Sequence, residues 1–406
     1  MSWLSGYTYR KPIAYTAGVG AGADYQVVVK CYYASGSDGT ESLNGETVAK
    51  LYLAGKCQAD FDDVRFALAG SSSAYVYKRT SKTDSNNAVF IFKVSDSMDA
   101  VREIYCYYGN ASAVDASSDL ALIDVIPNVV GAWALDEVVV GDAIDYSGNG
   151  NDGVSTVTSV VDGRLVGKKA RNYDGVNDFI TVADDAALNF SVADFSVCFW
   201  FKPGIVTWQN VLYKRNTGAG INPGYQFSTH LTRMYNFIGD GADAITPFYA
   251  NDALQVDVWQ NCIFNGDRDG DGIVYINNVA GTDSAAMAAI GNMDNALDLY
   301  IGGLSDKYTG VLADVLFFNS LLSLSQRTNL AASANYPDSK LVAGSVLVRK
   351  WATTTLPAVS SIGPEEPTYE AGTDIERGPP APVPKMPHEF MRLLKAWLEA
   401  KTKVNS

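Results

Sequence analysis

Apolar residues along the chain come in short runs of four to nine, often alternating with polar ones, and the runs are separated by clusters of Gly, Ser, Asn and Asp. A period of two is the mark of strands, and turn residues at this density keep those strands short. In the first third, Tyr25–Tyr33, Asp63–Ala67, Val89–Val94 and Glu103–Tyr108 read as strands, and Ala34–Thr47 as a long polar loop. A second series follows with Phe179–Val182, Ser196–Phe201, Gly272–Ile276, Leu297–Ile301 and Gly310–Phe318. Regular spacing without intervening helical patterns predicts a sandwich rather than alternating strand–helix units.

One further strand-like run, Gly344–Ala352, follows the second series. The stretch 353–386 is rich in Pro, Glu, Gly and Thr and predicts an extended linker. The last segment changes period: Phe390, Leu393, Leu394, Trp397 and Leu398 recur at helical spacing after Pro387. So short a helix is marginal alone in water, and its apolar stripe needs a partner. Two readings stand: it packs on its own chain, or it docks on another subunit of a larger assembly. The expected organisation is all-β, two β-sandwich (jelly-roll) domains over 1–128 and 129–335. A closing strand segment over 336–352, the linker over 353–386 and an amphipathic helix over 387–406 complete it.

Composition sharpens this in three places. With 406 residues the chain suits two β-domains and a tail. The net charge of −14 disfavours phosphate backbones and anionic membranes, so nucleic acid is not an expected partner. Cys31, Cys57, Cys106, Cys198 and Cys262 lack zinc-like spacing, and several lie inside apparent strands as small buried hydrophobes; a single Cys31–Cys57 bridge stays open. The first residues carry no signal-peptide pattern, and no apolar run is long enough to span a bilayer.

Within the second series, GAWALDE and DYSGNGNDG (Asp145 to Gly153), RNYDGVNDFITV (Arg171 to Val182) and FSVCFWFKP (Phe195 to Pro203) follow one another. Trp259, the run DRDGDGIVYINN (Asp267 to Asn278) and LADVLFFNSLLSLSQ (Leu312 to Gln326) come next. In this order the landmarks resemble the laminin G-like branch of the concanavalin A-like superfamily. Tyr173 and Asn177 depart from that family's usual aromatic and acid. WLSGYTYRKPI (Trp3 to Ile13), YQVVVKCYY, GKCQADFDDVRF and IYCYYGN resemble a domain of unknown function that often precedes such a sandwich. The first resemblance implies a jelly roll that binds ligands. The second implies no chemistry.

Candidate chemistry is sparse. Jelly-roll glucanases place carboxylates at alternate positions on one strand, and no such motif occurs; Asp60–Asp63 and Asp136–Glu137 are the nearest acidic runs. Only His230 and His388 exist, so no His pair is available for zinc. The expectation is therefore no enzyme. Calcium is the one cofactor considered, because hard cations collect carboxylates and carbonyls on Gly-rich loops. Candidate ligands are Asp145, Asn149 and Asn151; Asp267, Asp269 and Asp271; and Asp174, Asp178 and Asp314, a set the resemblance favours. The Asp267–Asp271 stretch reads equally as a hairpin turn, since the Glu of a calcium loop is replaced by Asn278.

For a glycan, aromatic rings stack on sugar faces and neighbouring amides orient hydroxyls. Trp208, Tyr213, Tyr225, Tyr235 and Tyr249 lie in loop-like contexts and are the candidate platforms, whereas Trp200 and Trp259 read as core. The sum is a non-catalytic binding or adhesion protein. A virion surface component anchored by its tail is the expected setting. A cell-surface or secreted glycan-binding protein and a polysaccharide-active enzyme are the alternatives.

Overall fold

The computed structural model describes residues 3–139, 141–216, 222–245 and 253–368. It is built from strands, with one α-helix among the described residues, Leu324–Ala331. Ser323 caps that helix, and its side chain and that of Gln326 each bond the other's backbone N–H. No described helix is long and apolar enough to cross a membrane.

Two sheets make the first sandwich. One orders Gly39–Leu43, Glu46–Tyr52, Tyr25–Tyr32, Asn87–Val94 and Tyr77–Thr83; the other orders Val359–Ile362, Tyr9–Tyr15, Arg102–Tyr108 and Arg65–Leu68. Alternate residues such as Val27, Val29, Cys31, Phe90 and Phe92 meet Ile13, Phe66, Ile104 and Cys106 in the core between them. All five cysteines are buried and free, Cys31 and Cys57 included.

Two expectations are corrected here. Ala34–Thr47 is not all loop. Gly39–Leu43 and Glu46–Tyr52 form a hairpin about Asn44 and Gly45, both at positive φ (50° and 85°), the backbone that an Asn-Gly pair favours. The segment after Thr353 is also not linker from its start, because Val359–Ile362 pairs with Tyr9–Tyr15 and Glu366–Pro367 pairs with Tyr9 and Arg10. The chain thus returns to its first sandwich after completing the second. The residues of the expected C-terminal helix lie outside the described residues.

In the second sandwich, one sheet orders Ser159–Asp162, Lys169–Asp174, Thr309–Phe318, Phe195–Pro203, Gln260–Gly266, Asp271–Ile276 and Val279–Ala286, with Val129–Trp133 also on Thr309–Phe318. The facing sheet orders Gly153–Thr156, Phe179–Val182, Leu299–Ile301, Gln209–Arg215, Gly224–His230, Arg233–Gly239 and Ala244–Ile245. Trp133, Phe195, Phe199, Phe227, Phe264 and Phe317 fill the space between them.

A three-stranded sheet joins the two sandwiches: Asn335–Asp338, Ser345–Lys350 and Asp124–Pro127. The alternation of Ser345–Lys350 gives it two apolar faces. Val346 and Val348 pack on Leu316, Phe318 and Ile263 of the jelly roll, while Leu347 packs on Val28, Val48 and Ile91 of the first sandwich. The expected closing strand is therefore a wedge buried on both sides.

Candidate functional site

Strand alternation divides the residues of the second sandwich's second sheet between core and outer face. In Gly224–His230, Tyr225 and Phe227 lie in the core, which leaves Gln226, Ser228 and His230 on the other face. Cross-strand register extends that face: Tyr213 opposes Gln226, Gln226 opposes Phe237, Ser228 opposes Tyr235, and His230 opposes Arg233.

Trp208, just before Gln209–Arg215, is 40% exposed. Its ring lies 4.8 Å from that of His230 and 5.1 Å from that of Tyr235, both half-buried. Beside this aromatic corner sits a buried polar trio. Gln226 Nε2 donates to Asn210 Oδ1 at 2.6 Å, and the Ser228 hydroxyl donates to the same oxygen at 2.7 Å. Asn210 in turn donates to the Ser305 carbonyl at 2.7 Å, and Arg215 donates to Gln226 Oε1 at 3.3 Å while lying 3.5 Å over the Phe237 ring. The network ties Gln209–Arg215 to Gly224–His230 and to the Ser305 backbone.

Trp208 and Tyr235 come together as candidate platform residues. Tyr213 shares their face but is buried. Tyr225 is corrected: it is a core residue, 2% exposed, with its hydroxyl donating to the Leu188 carbonyl at 3.1 Å. Its strand position points it inward, and burial pushes its pKa well up. Tyr249 lies outside the described residues. His230 completes the cluster. Its place was hidden in the sequence because only the register of Gly224–His230 with Arg233–Gly239 sets it beside Trp208 and Tyr235. Trp200 is buried against Ala170 and Ala313, as expected of a core residue, and Trp259 packs at the edge of that cluster.

The calcium candidates do not converge. Asp174 opposes Thr309, whereas Asp314 lies five residues further along the same strand, about 16 Å at the usual rise. Asp314 is instead buried in an ion pair with Arg164 at 3.1 Å, and burial raises its pKa. Asp174 Oδ1 accepts from the backbone of Val176 at 2.7 Å and Asn177 at 3.2 Å, bonds that hold its pKa down. Asp178 Oδ2 accepts from Asp174 N at 2.9 Å, while its buried Oδ1 has no partner, and burial raises its pKa.

The Asp145 carboxylate is saturated, accepting from Ala132 N, Ser147 N, Ser147 Oγ and Asn151 N at 2.7–3.0 Å. Asn149 donates to the Val130 carbonyl at 2.9 Å, and the Asn151 carbonyl accepts from Trp133 Nε1 at 2.9 Å. Asp267 closes a tight hairpin turn by accepting from Asp269 N at 3.1 Å, and Asp271 accepts from Ser284 at 2.7 Å. Among the described residues no group of three or more His, Cys, Asp or Glu side chains could hold a metal ion. In the structure Asp145, Asp174 and Asp267 close turns, whereas Asp314 is held in its ion pair with Arg164.

The nearest acidic runs are similarly engaged. Asp63 accepts from Gln58 N, Gly109 N and Asn110 N, and Asp62 pairs with Arg79 at 2.7 Å. Asp136 pairs with Lys340, and Glu137 with the fully buried Arg171 at 3.1 Å.

Residues 174–326, which supply most of both sheets, match a family model. It is that of the concanavalin A-like lectin/glucanases superfamily. The match covers the aromatic corner and its polar trio, and agrees with the jelly-roll architecture of the second sandwich. Among solved structures, the chain is similar to the binding domain of Paraclostridial Mosquitocidal Protein 1, with 19% identity and a TM-score of 0.43 over 51% of this chain and 52% of that one. Domain 4 of AbnA, an extracellular arabinanase of Geobacillus stearothermophilus solved with arabinotriose, is 17% identical, with a TM-score of 0.40 over 51% of this chain and all of that one. The ligand-binding domain of botulinum neurotoxin serotype D, solved with N-acetylneuraminic acid, is 13% identical, with a TM-score of 0.41 over 53% and 52%. The aligned part spans about half the length of the first of these structures. No curated protein matches the sequence.

Proposed function

We propose that this chain is a non-catalytic glycan-binding protein and that the outer face around Trp208 is its binding platform. The observation that carries the reading is the exposed Trp208 ring, braced edge-on by His230 and packed against Tyr235, beside the Asn210–Gln226–Ser228 network. Such a corner offers an exposed aromatic face for a sugar ring to stack on, beside a buried polar network that ties its strands together. The engagement of Asp60–Asp63, Asp136 and Glu137 in structural bonds supports binding without hydrolysis. A glycan array probed with the native chain and with Trp208→Ala tests the reading. Specific signals lost in the variant support it, and signals unchanged by the variant overturn it.

We further propose that the protein serves on a virion surface, held there by its C-terminal segment. The support is the sequence of that segment: a Pro-rich stretch, then Phe390, Leu393, Leu394, Trp397 and Leu398 at helical spacing. Cryo-electron microscopy of the native source tests the setting. The chain seated in a repeating assembly through its tail supports it, and a free monomer overturns it.

A further inference from the structure

In Gln209–Arg215, Lys214 lies two residues past the core residue Leu212, and its side chain has no exposure. A buried ammonium must be compensated. Lys214 Nζ donates to Asp184 Oδ1 at 2.7 Å and to the Leu297 carbonyl at 2.6 Å. It also reaches the backbone carbonyl and the side-chain Oδ1 of Asn295, each at 3.3 Å. Four oxygens thus meet an amine with three protons, and one of the four belongs to a primary amide.

That amide is held from both ends. Asn295 Oδ1 accepts from Leu297 N at 3.0 Å, while Nδ2 donates to the Pro223 carbonyl at 3.1 Å and to the Lys214 carbonyl at 3.3 Å. Gly224 makes the room: a Cβ there would fall 2.6 Å from Asn295 Nδ2 and 2.1 Å from the Lys214 carbonyl oxygen. Nζ therefore stands 3.3 Å from an oxygen that is one bond from Asn295 Cγ. A nucleophile and its target held at such range need little further ordering to react. Asp184 lies within proton-transfer reach of the amine, and Leu297 N–H is placed to meet charge that develops on Oδ1.

We propose that Lys214 and Asn295 join in an intramolecular isopeptide bond, with Asp184 as the proton carrier. Asp184 takes a proton from Nζ, and the freed lone pair forms the Nζ–Cγ bond. The carbonyl pair moves onto Oδ1 and returns as the Cγ–Nδ2 bond breaks. Two of the three Nζ protons end on Nδ2, which leaves as ammonium. Nothing is oxidised or reduced, and no co-reactant is consumed. The one proton left on Nζ keeps the Leu297 carbonyl as its partner. The bond ties the strand that follows Trp208 to the segment before Leu299–Ile301, 81 positions away. It does not rest on the glycan reading.

Intact-mass spectrometry of the denatured full chain tests the proposal. The native chain is expected to weigh one ammonia less than its sequence, and peptide mapping to find the Lys214 and Asn295 peptides joined. Lys214→Arg, which keeps the charge, and Asn295→Ala are each expected to restore the full mass. Asp184→Asn is expected to form the joined peptide at least about a hundredfold more slowly. A native chain at full mass overturns the bond, as does an ammonia loss that mapping places at an Asn-Gly pair such as Asn44–Gly45. Undiminished joining in Asp184→Asn overturns the proton-carrier role. Should a variant fail to fold, the mass and peptide map of the native chain decide alone.

Discussion

Arg349 and Glu46 form a two-pronged ion pair across the junction of the sandwiches, Nη1 to Oε2 at 2.8 Å and Nη2 to Oε1 at 3.0 Å. Nη1 also donates to Asp338 Oδ2 at 2.8 Å, on the hairpin partner of its own strand. The guanidinium is fully buried, so removing it strands two carboxylates. Breaking one side of such a pair typically costs about 3–5 kcal/mol. Arg349→Met is therefore expected to lower stability by roughly that amount and to uncouple the sandwiches. Urea denaturation followed by tryptophan fluorescence checks this. A single transition at the native midpoint would show that the pair contributes nothing.

The same pair makes stability depend on acid. Burial opposes ionisation of Glu46, but Arg349 outweighs it and holds the carboxyl below the usual glutamate range. Below about pH 4.3 the unfolded chain takes up the proton first, so the contribution is present above that value and fades as pH falls through the folded pKa. Asp178 and Asp314 act in the opposite sense, because burial raises them and the folded state takes their protons first. Glu46→Gln should show a shallower loss of stability below about pH 4.3 than the native chain. Parallel slopes in urea titrations at a series of pH values would contradict the assignment.

Trp208 and Tyr225 should separate binding from folding. Trp208→Ala removes an exposed ring, and glycan affinity is expected to fall at least about tenfold with little change in Tm. Tyr225→Phe removes a core hydrogen bond to Leu188, and stability is expected to fall by about 1 kcal/mol with binding unchanged. Calorimetric titration and thermal melts of both variants check the pairing. A binding defect in Tyr225→Phe would return that residue to the site.

The strand pattern was legible because a period of two survives in short segments: Phe179–Val182 matches its expected bounds, and Asn87–Val94 and Thr309–Phe318 begin one or two residues early. What stayed hidden depends on register between distant segments. Nothing near Tyr225 says that its strand turns it inward while Tyr235, on the next strand, lies on the outer face. Arg164 and Asp314 are 150 positions apart, so the pairing that occupies this carboxylate has no local signature. The return of Val359–Ile362 to Tyr9–Tyr15 was masked for the same reason, since an edge strand between prolines reads as linker.

Calcium offers the last test, because turn building and ion binding compete for the same oxygens. Each Asp145 carboxylate oxygen already accepts two hydrogen bonds, tying the Asp145–Asn151 turn to Ala132. A cation there would have to displace these donors, whereas a calcium site presents six to eight free oxygens. Chelation by EDTA is therefore expected to leave Tm unchanged, and added calcium to leave it unchanged as well. Asp145→Ala should instead cost about 2–4 kcal/mol, since it strands buried N–H groups and loosens the turn that positions Trp133. Thermal melts with and without the ion give the answer: a rise in Tm on adding calcium, abolished by Asp145→Ala, would make the carboxylate a ligand.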